Sequence, residues 1–194
     1  SIGMGLDKRI GGRFLRAGPA YGGSCFPKDT RAIVDTAKEF KTDLSIIKNV
    51  IKSNENRSKI LLNRVSKLLK NKIKNKRITF LGVTFKANTD DMRESSSLVM
   101  IPSLISKGAK IKYYDPSGYK KDFDKFKNIS FCENIKSACI DADMIIIHTE
   151  WNDFKALNFK KLSSKKNVIV NDMRNILSPD KMKKDKINYF GIGR

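Results

Sequence analysis

The chain has a single histidine, His148, and only three cysteines, Cys25, Cys132 and Cys139. The cysteines have neither zinc-ligand spacing nor a partner histidine, which excludes the common metal centres. An odd set without a disulfide framework points to a reducing cytoplasm. No apolar run approaches the length of a membrane span. The opening residues SIGMGLDKR lack both the apolar core of a signal peptide and an initiator Met, so the start reads as a cut. Also absent is GxGxxG, which ordinary dinucleotide-binding folds carry after their first strand.

Acidic residues are scarce beside basic ones: 20 Asp and Glu against 40 Lys and Arg leave a formal charge of +20. Such an excess suits nucleic acid, because cations that neutralise phosphates release counterions. Here the basic residues fall in separated runs (67–77, 120–127, 160–166, 181–186) with apolar residues between them at element-like spacing. A solvated, lysine-rich surface accounts for that pattern better than a nucleic-acid groove does, and anionic small ligands fit it too. With 194 residues and 40% apolar content, the chain can bury an ordinary core.

Glycines at positions 3, 5, 11, 12, 18, 22 and 23 make a continuous helix over residues 1–24 improbable, leaving a short helical piece around 8–15. Apolar residues then recur at helical spacing over 27–40 (Ala32, Ile33, Ala37, Phe40), with Asp29 and Thr30 in the first turn. A longer stripe over 44–69 predicts one long amphipathic helix or two abutting ones, interrupted at Asn54-Glu55-Asn56. From Arg77 the period changes. Short β-branched and aromatic runs at 78–82, 110–114, 144–148, 168–171 and 188–190 alternate with helix-compatible segments. That alternation predicts an α/β fold, a long connecting helix followed by a Rossmann-like parallel sheet with helices on both faces. Ligands of such sheets bind at the carboxyl ends of the strands, where residues 82–86 follow the first strand. The boundary falls in the charged join 71–76, dividing a helical segment, 1–75, from an α/β domain, 76–194.

One thiol stands out within GPAYGGSCFPKDTR, residues 18–31. Gly22-Gly23 lets the backbone turn tightly and approach a ligand, and Pro27 suits the first turn of a helix. A helix N-terminus and nearby Lys28 both favour thiolate over thiol. Taken alone, Cys25 has two readings, a nucleophile or a small buried apolar residue. Its Gly, Ser, Pro, Lys and Asp neighbours belong to a loop and a cap rather than to a core. Asp29 likewise admits either catalysis or plain first-turn electrostatics. For Asp90, Asp91 and Glu94, capping of the helix entered near Ser95 is the favoured account, and a lone His148 ending a strand reads as structural.

GGSCFPKD, preceded by DKRIGGRFL, and a second block over 81–97, LGVTFKANTDDMRESSS, together resemble the UDP-glucose dehydrogenase family of nucleotide-sugar dehydrogenases. The blocks lie in the family's order, and the resemblance spans the chain as the C-terminal half of such an enzyme. It implies that Cys25 is the nucleophile in an oxidation of a sugar primary alcohol to a carboxylate using two NAD, and that Asp29 handles water and protons. It further implies that Phe14, Leu15, Tyr21, Gly22 and Gly23 enclose the sugar and that Arg9 reaches the substrate of a second subunit. Phe85, Lys86 and Arg174 would contact UDP, and Lys28 and Arg93 would face NAD. The long helix, residues 44–70, would build a homodimer interface. Ala20 departs from the family's usual glycine, which touches only fine loop geometry. The family's dinucleotide fingerprint and catalytic lysine lie in its other half, so these residues alone would not reduce NAD. UDP-glucose fits GVTFK and DDMRESSS best; GDP-mannose or an N-acetylated UDP-sugar is the alternative substrate, and a non-catalytic nucleotide-binding module the alternative class.

Overall fold

The computed structural model describes residues 2–193, with the side chains of Arg13 and Phe14 outside that description. A short helix, α1 (Ile2–Gly5), and a 3-10 turn (Gly12–Leu15) precede two long helices, α2 (Cys25–Glu39) and α3 (Ser45–Leu68). Then come β1 (Arg77–Leu81), α4 (Ser97–Ser106), β2 (Lys110–Tyr114), β3 (Ile129–Phe131), α5 (Ile135–Cys139) and β4 (Met144–Ile147). The chain finishes with α6 (Phe159–Leu162), β5 (Ile169–Asp172), α7 (Pro179–Lys184) and β6 (Asn188–Gly191). The six strands form one parallel sheet in the order β3-β2-β1-β4-β5-β6.

Alternation along each strand divides the core into two layers. Ile78, Phe80, Met144 and Ile146 face a layer filled by Leu61, Leu62 and Val65 of α3 and by Met100, Ile101 and Leu104 of α4. Leu81, Ile145, Ile147 and Val170 face the other, with Phe154, Phe159 and Met182. Because β1 and β4 are covered on both faces, their sequences are near-continuous apolar runs, as buried parallel strands require. Ser178 and Asn134 cap α7 and α5 by accepting from the backbone N–H groups of Lys181 and Ser137.

Four differences from the sequence-based expectation have physical causes. The helical piece around 8–15 is instead α1 plus the 3-10 turn, because Gly11 takes a positive φ of 67° and Asp7 accepts from the Arg9 N–H. Helix α2 starts at Cys25, so Pro27 is its third residue, still among the first-turn positions whose N–H has no helical partner. Helix α3 runs unbroken through Asn54, whose side chain bonds outside the helix. Strand β3 was not foreseen: its three residues are half-buried or exposed and carry too short an alternation to stand out.

Candidate active site at the switch point of the sheet

Strand β1 is flanked by β2 on one side and β4 on the other, so chain connections leave it in opposite directions, which opens a crevice at the carboxyl ends of β1 and β4. Gly82 leaves β1 with φ 77°, and a Cβ there would lie 2.4 Å from the Thr149 Cβ, so glycine alone lets the two strand exits close up. The β1 exit is not a phosphate cradle. Asp115, at the end of β2, accepts from the Val83 N–H at 2.7 Å and the Thr84 N–H at 3.4 Å, and also binds Ser117.

Beside β4, His148 is fully buried. Thr149 Oγ1 donates to the Thr84 carbonyl at 2.7 Å, so His148 Nδ1 donates to Thr149 and Nε2 accepts from Ser96 Oγ at 2.8 Å. Burial, with a smaller contribution from the Arg174 charge, pulls the imidazole pKa down to about 3.

The segment bearing Cys25 docks onto this crevice through backbone. Gly23 N–H donates to the Arg93 carbonyl at 2.8 Å, and a Cβ on Gly23 would sit 2.8 Å from the Phe85 ring. On Gly22 a Cβ would lie 2.5 Å from the Glu94 carbonyl oxygen. The close approach that these glycines permit is therefore to the α/β unit. Behind them, Tyr21 N–H donates to Asn54 Oδ1 at 3.0 Å and Asn54 Nδ2 donates back to the Tyr21 carbonyl at 3.1 Å. Arg57 donates to the Pro19 and Gly18 carbonyls, and Tyr21 meets Phe26 edge to face at 4.7 Å.

Cys25 is thus an exposed thiol at the first residue of α2, with Ser24 Oγ 3.6 Å from its sulfur. Lys28 and Asp29 follow it within the first turns, both exposed and paired with each other at 3.5 Å. Arg93 is exposed and held bidentately by Asp91, which raises its pKa; the Cys25 charge acts in the same direction. The acids therefore do not cap α4: Asp91 serves Arg93, Glu94 serves Arg31, and Ser96 stands at the helix start without a side-chain cap. The two serines around it, Ser95 and Ser97, instead donate to the Val83 carbonyl.

Of the cations assigned to UDP, Lys86 is exposed, lies over the Phe85 ring at 5.3 Å and is in no salt bridge among the described residues. Arg174 differs. Its side chain is only 12% exposed and donates to the His148 carbonyl at 2.8 Å and the Phe85 carbonyl at 2.5 Å, with Glu150 at 3.1 Å. Burial lowers its pKa, and Glu150 opposes that. One face of this guanidinium meets Gly18, where a Cβ would lie 3.0 Å from Nη1, so Arg174 braces both strand exits against the Cys25 segment. Leu15 is half-buried in the 3-10 turn, the Phe14 side chain lies outside the described residues, and Arg9 is exposed on Asp7, away from this cluster of contacts. Among the described residues no group of three metal-ligating side chains exists and no helix is long and apolar enough to cross a membrane.

Sequence reasoning missed Arg31, Asn54, Arg57, Asp115 and Glu150. Their long-range partners lie 24 to 63 residues away, and no local pattern signals such pairs. Asp115 alone had a clue, since an acid ending the second strand is where dinucleotide folds place theirs.

Residues 79–179 match the UDP binding domain of the UDP-glucose/GDP-mannose dehydrogenase family, and residues 1–56 match that family's central domain. The chain is 40% identical over 193 residues to the UDP-glucose 6-dehydrogenase of Rhizobium meliloti, covering 99% of this chain and 44% of that protein. It is 41% identical over 197 residues to the UDP-glucose 6-dehydrogenase of Rickettsia conorii, covering 100% and 45%. A UDP-glucose dehydrogenase structure from Pyrobaculum islandicum superposes with a TM-score of 0.80 at 29% identity, over 98% of this chain and 42% of that one. The chain spans less than half the length of these relatives. With both matched regions in order, one bearing Cys25 and the other the loop on which it docks, the chain belongs to the UDP-glucose/GDP-mannose dehydrogenase family.

Proposed function

We propose that this chain supplies the thiol and the nucleotide-sugar site of an NAD-dependent dehydrogenase that converts UDP-glucose to UDP-glucuronate. The observation that carries this is the exposed Cys25 at the start of α2, docked through Gly22 and Gly23 onto the Phe85 and Arg93 loop of the UDP-binding unit. Lys86 pairs with the diphosphate while Phe85 packs near the nucleotide, as suits phosphate recognition by an exposed cation. Arg174 acts through its braces, fixing the Phe85 carbonyl and the β4 exit beneath the ligand. Leu15, Tyr21, Gly22 and Gly23 enclose the sugar.

NAD, when bound, accepts hydride in both oxidations. Its dinucleotide does not fit the β1 exit, whose N–H groups Asp115 already holds; the exposed cations Arg93 and Lys28 would face it. The Cys25 sulfur adds to the sugar aldehyde, forming a C–S bond and a thiohemiacetal. Oxidation leaves a thioester. Water gives one proton to Asp29 and displaces the sulfur as thiolate, and the carboxylic acid so formed loses the second proton to solvent as the carboxylate is released. A second copy covers the exposed stripe Ile46, Val50 and Ile60 of α3, and Arg9 is donated across that interface.

NADH formation by this chain, with and without the family's dinucleotide-binding half supplied separately, tests this. UDP-glucose should support it, Cys25→Ser should abolish complete oxidation, and residues 1–194 alone should form none. Calorimetry separates the alternatives: UDP should bind and GDP should not, with Lys86→Met removing the heat. Equal heats for GDP would favour a GDP-mannose enzyme, and UDP-glucuronate formation by Cys25→Ser would overturn the thiol assignment.

A further inference from the structure

Glu94 has no part in the chemistry above, yet its geometry is unusual. It takes a left-handed φ of 54°, which a residue with a Cβ adopts only under constraint. Its carboxylate is bidentate on Arg31, six residues after Cys25 on the same helix, at 3.0 and 3.4 Å. Its carbonyl oxygen lies where Gly22 has no Cβ, and the carbonyl of the residue before it, Arg93, accepts from Gly23. The short loop 91–94 is thereby fastened on two sides, to the helix that begins with Cys25 and to the loop that leads into it. Between those fastenings stands Arg93, bound to Asp91 and within electrostatic reach of Cys25. Both members of the Arg31–Glu94 pair are about half exposed, and pairs of that kind contribute little to global stability. Their use has to be sought in what they hold in place.

We propose that Glu94 is a positioning residue: clamped by Arg31, it fixes the 91–94 loop against Gly22 and Gly23 and so holds Arg93, whose carbonyl accepts from Gly23, against the segment that carries Cys25. This rests on Cys25 as the nucleophile. A cation held near the sulfur favours thiolate over thiol, as do the α2 N-terminus and Lys28, while Asp91 on the Arg93 guanidinium, Asp29 and Glu94 itself oppose it. Without the clamp the loop still folds but no longer holds Arg93 against that segment.

The test is alkylation of this chain by iodoacetamide at pH 7 and pH 10, followed by peptide mapping. Glu94→Gln should slow Cys25 labelling at pH 7 by roughly two- to fivefold, the size expected of an exposed charge interaction. At pH 10, where the thiol is ionised regardless, the rate should not change. Arg93→Met should give the same loss, Glu94→Gln should add nothing to it, and the charge swap Arg31→Glu with Glu94→Arg should restore most of the rate. Equal slowing at both pH values would mean that access alone had changed, and losses that add in the double variant would mean that Glu94 acts without Arg93; either overturns the clamp. A fast Cys25 indifferent to Glu94 overturns the clamp alone, whereas a Cys25 no faster than Cys132 in the unsubstituted protein overturns the nucleophile and the clamp together.

Discussion

In the α/β unit, β1 buries four of its five residues and β4 all four, whereas α2, which begins with the exposed thiol of Cys25, buries three of its fifteen. Phe26 and Ile33 on α2, Phe40 just after it, and Ile46 and Val50 on α3 stand exposed. One region is held by packing. The other is held by a few polar clasps: Tyr21 with Asn54, Gly23 with Arg93, Arg31 with Glu94, and Arg57 with the carbonyls of Gly18 and Pro19. Apolar burial resists local opening, while clasps of backbone and charge hold geometry at little cost in motion. The lesson is that this protein pairs a packed α/β core with a lightly held segment that carries its exposed thiol.

The contrast is sharpest in the thiols. Burial pushes the Cys139 thiol up to about 12 and also raises that of Cys132, while Cys25 is exposed. At pH 7 Cys25 should alkylate at least about a thousandfold faster than Cys139, given the scarcity of thiolate and of access at the latter. Comparable labelling by mass mapping would show that the packed region opens as readily as the clasped one. In the core, Leu104→Ala should lower stability by about 2–5 kcal/mol in urea unfolding, because a fully buried leucine leaves a cavity.

His148 gives a pH signature of the packed region. Its folded pKa of about 3 lies below the unfolded value near 6.5, so the unfolded chain binds the extra proton between them. Stability should therefore fall as pH drops from about 6.5 towards 3, by about 1.4 kcal/mol per unit for this one group. His148→Asn should flatten the slope by that amount; an unchanged slope would mean that the imidazole is solvated. The smallest effect belongs to α2 and α3: Phe40→Ser and Ile46→Ser should each change monomer stability by no more than about 0.5 kcal/mol. If sedimentation shows that Ile46→Ser abolishes a dimer, the exposed stripe is an interface; if the protein is monomeric throughout, the assignment of Arg9 to a second copy goes with it.

Much of the sheet was legible because periodicity is local: the apolar runs at 78–82 and 144–148 announce buried parallel strands within five residues. The clasps were not. Asn54 looked like a break in a stripe because its amide serves a loop 33 residues earlier, and nothing near Asn54 says so. Glu94 and Asp91 looked like helix caps since acids before a helix commonly are, but a bidentate arginine outcompetes an unfilled N-terminus for each of them. Gly22 and Gly23 were legible as a close approach, though only the structure says to what.

Asp115 has a consequence for how such a unit could change its trade. By filling the turn after β1 with its own carboxylate, the domain carries an internal surrogate for the anion that related folds import with their cofactor. The surrogate is covalently attached, always present and needs no recruitment, so the turn is pre-folded before any ligand arrives. A redesign meant to give this unit a dinucleotide of its own would have to evict that resident first and then rebuild a glycine-rich turn around Val83 and Thr84. Adding cations to the rim, however many, would leave the berth taken.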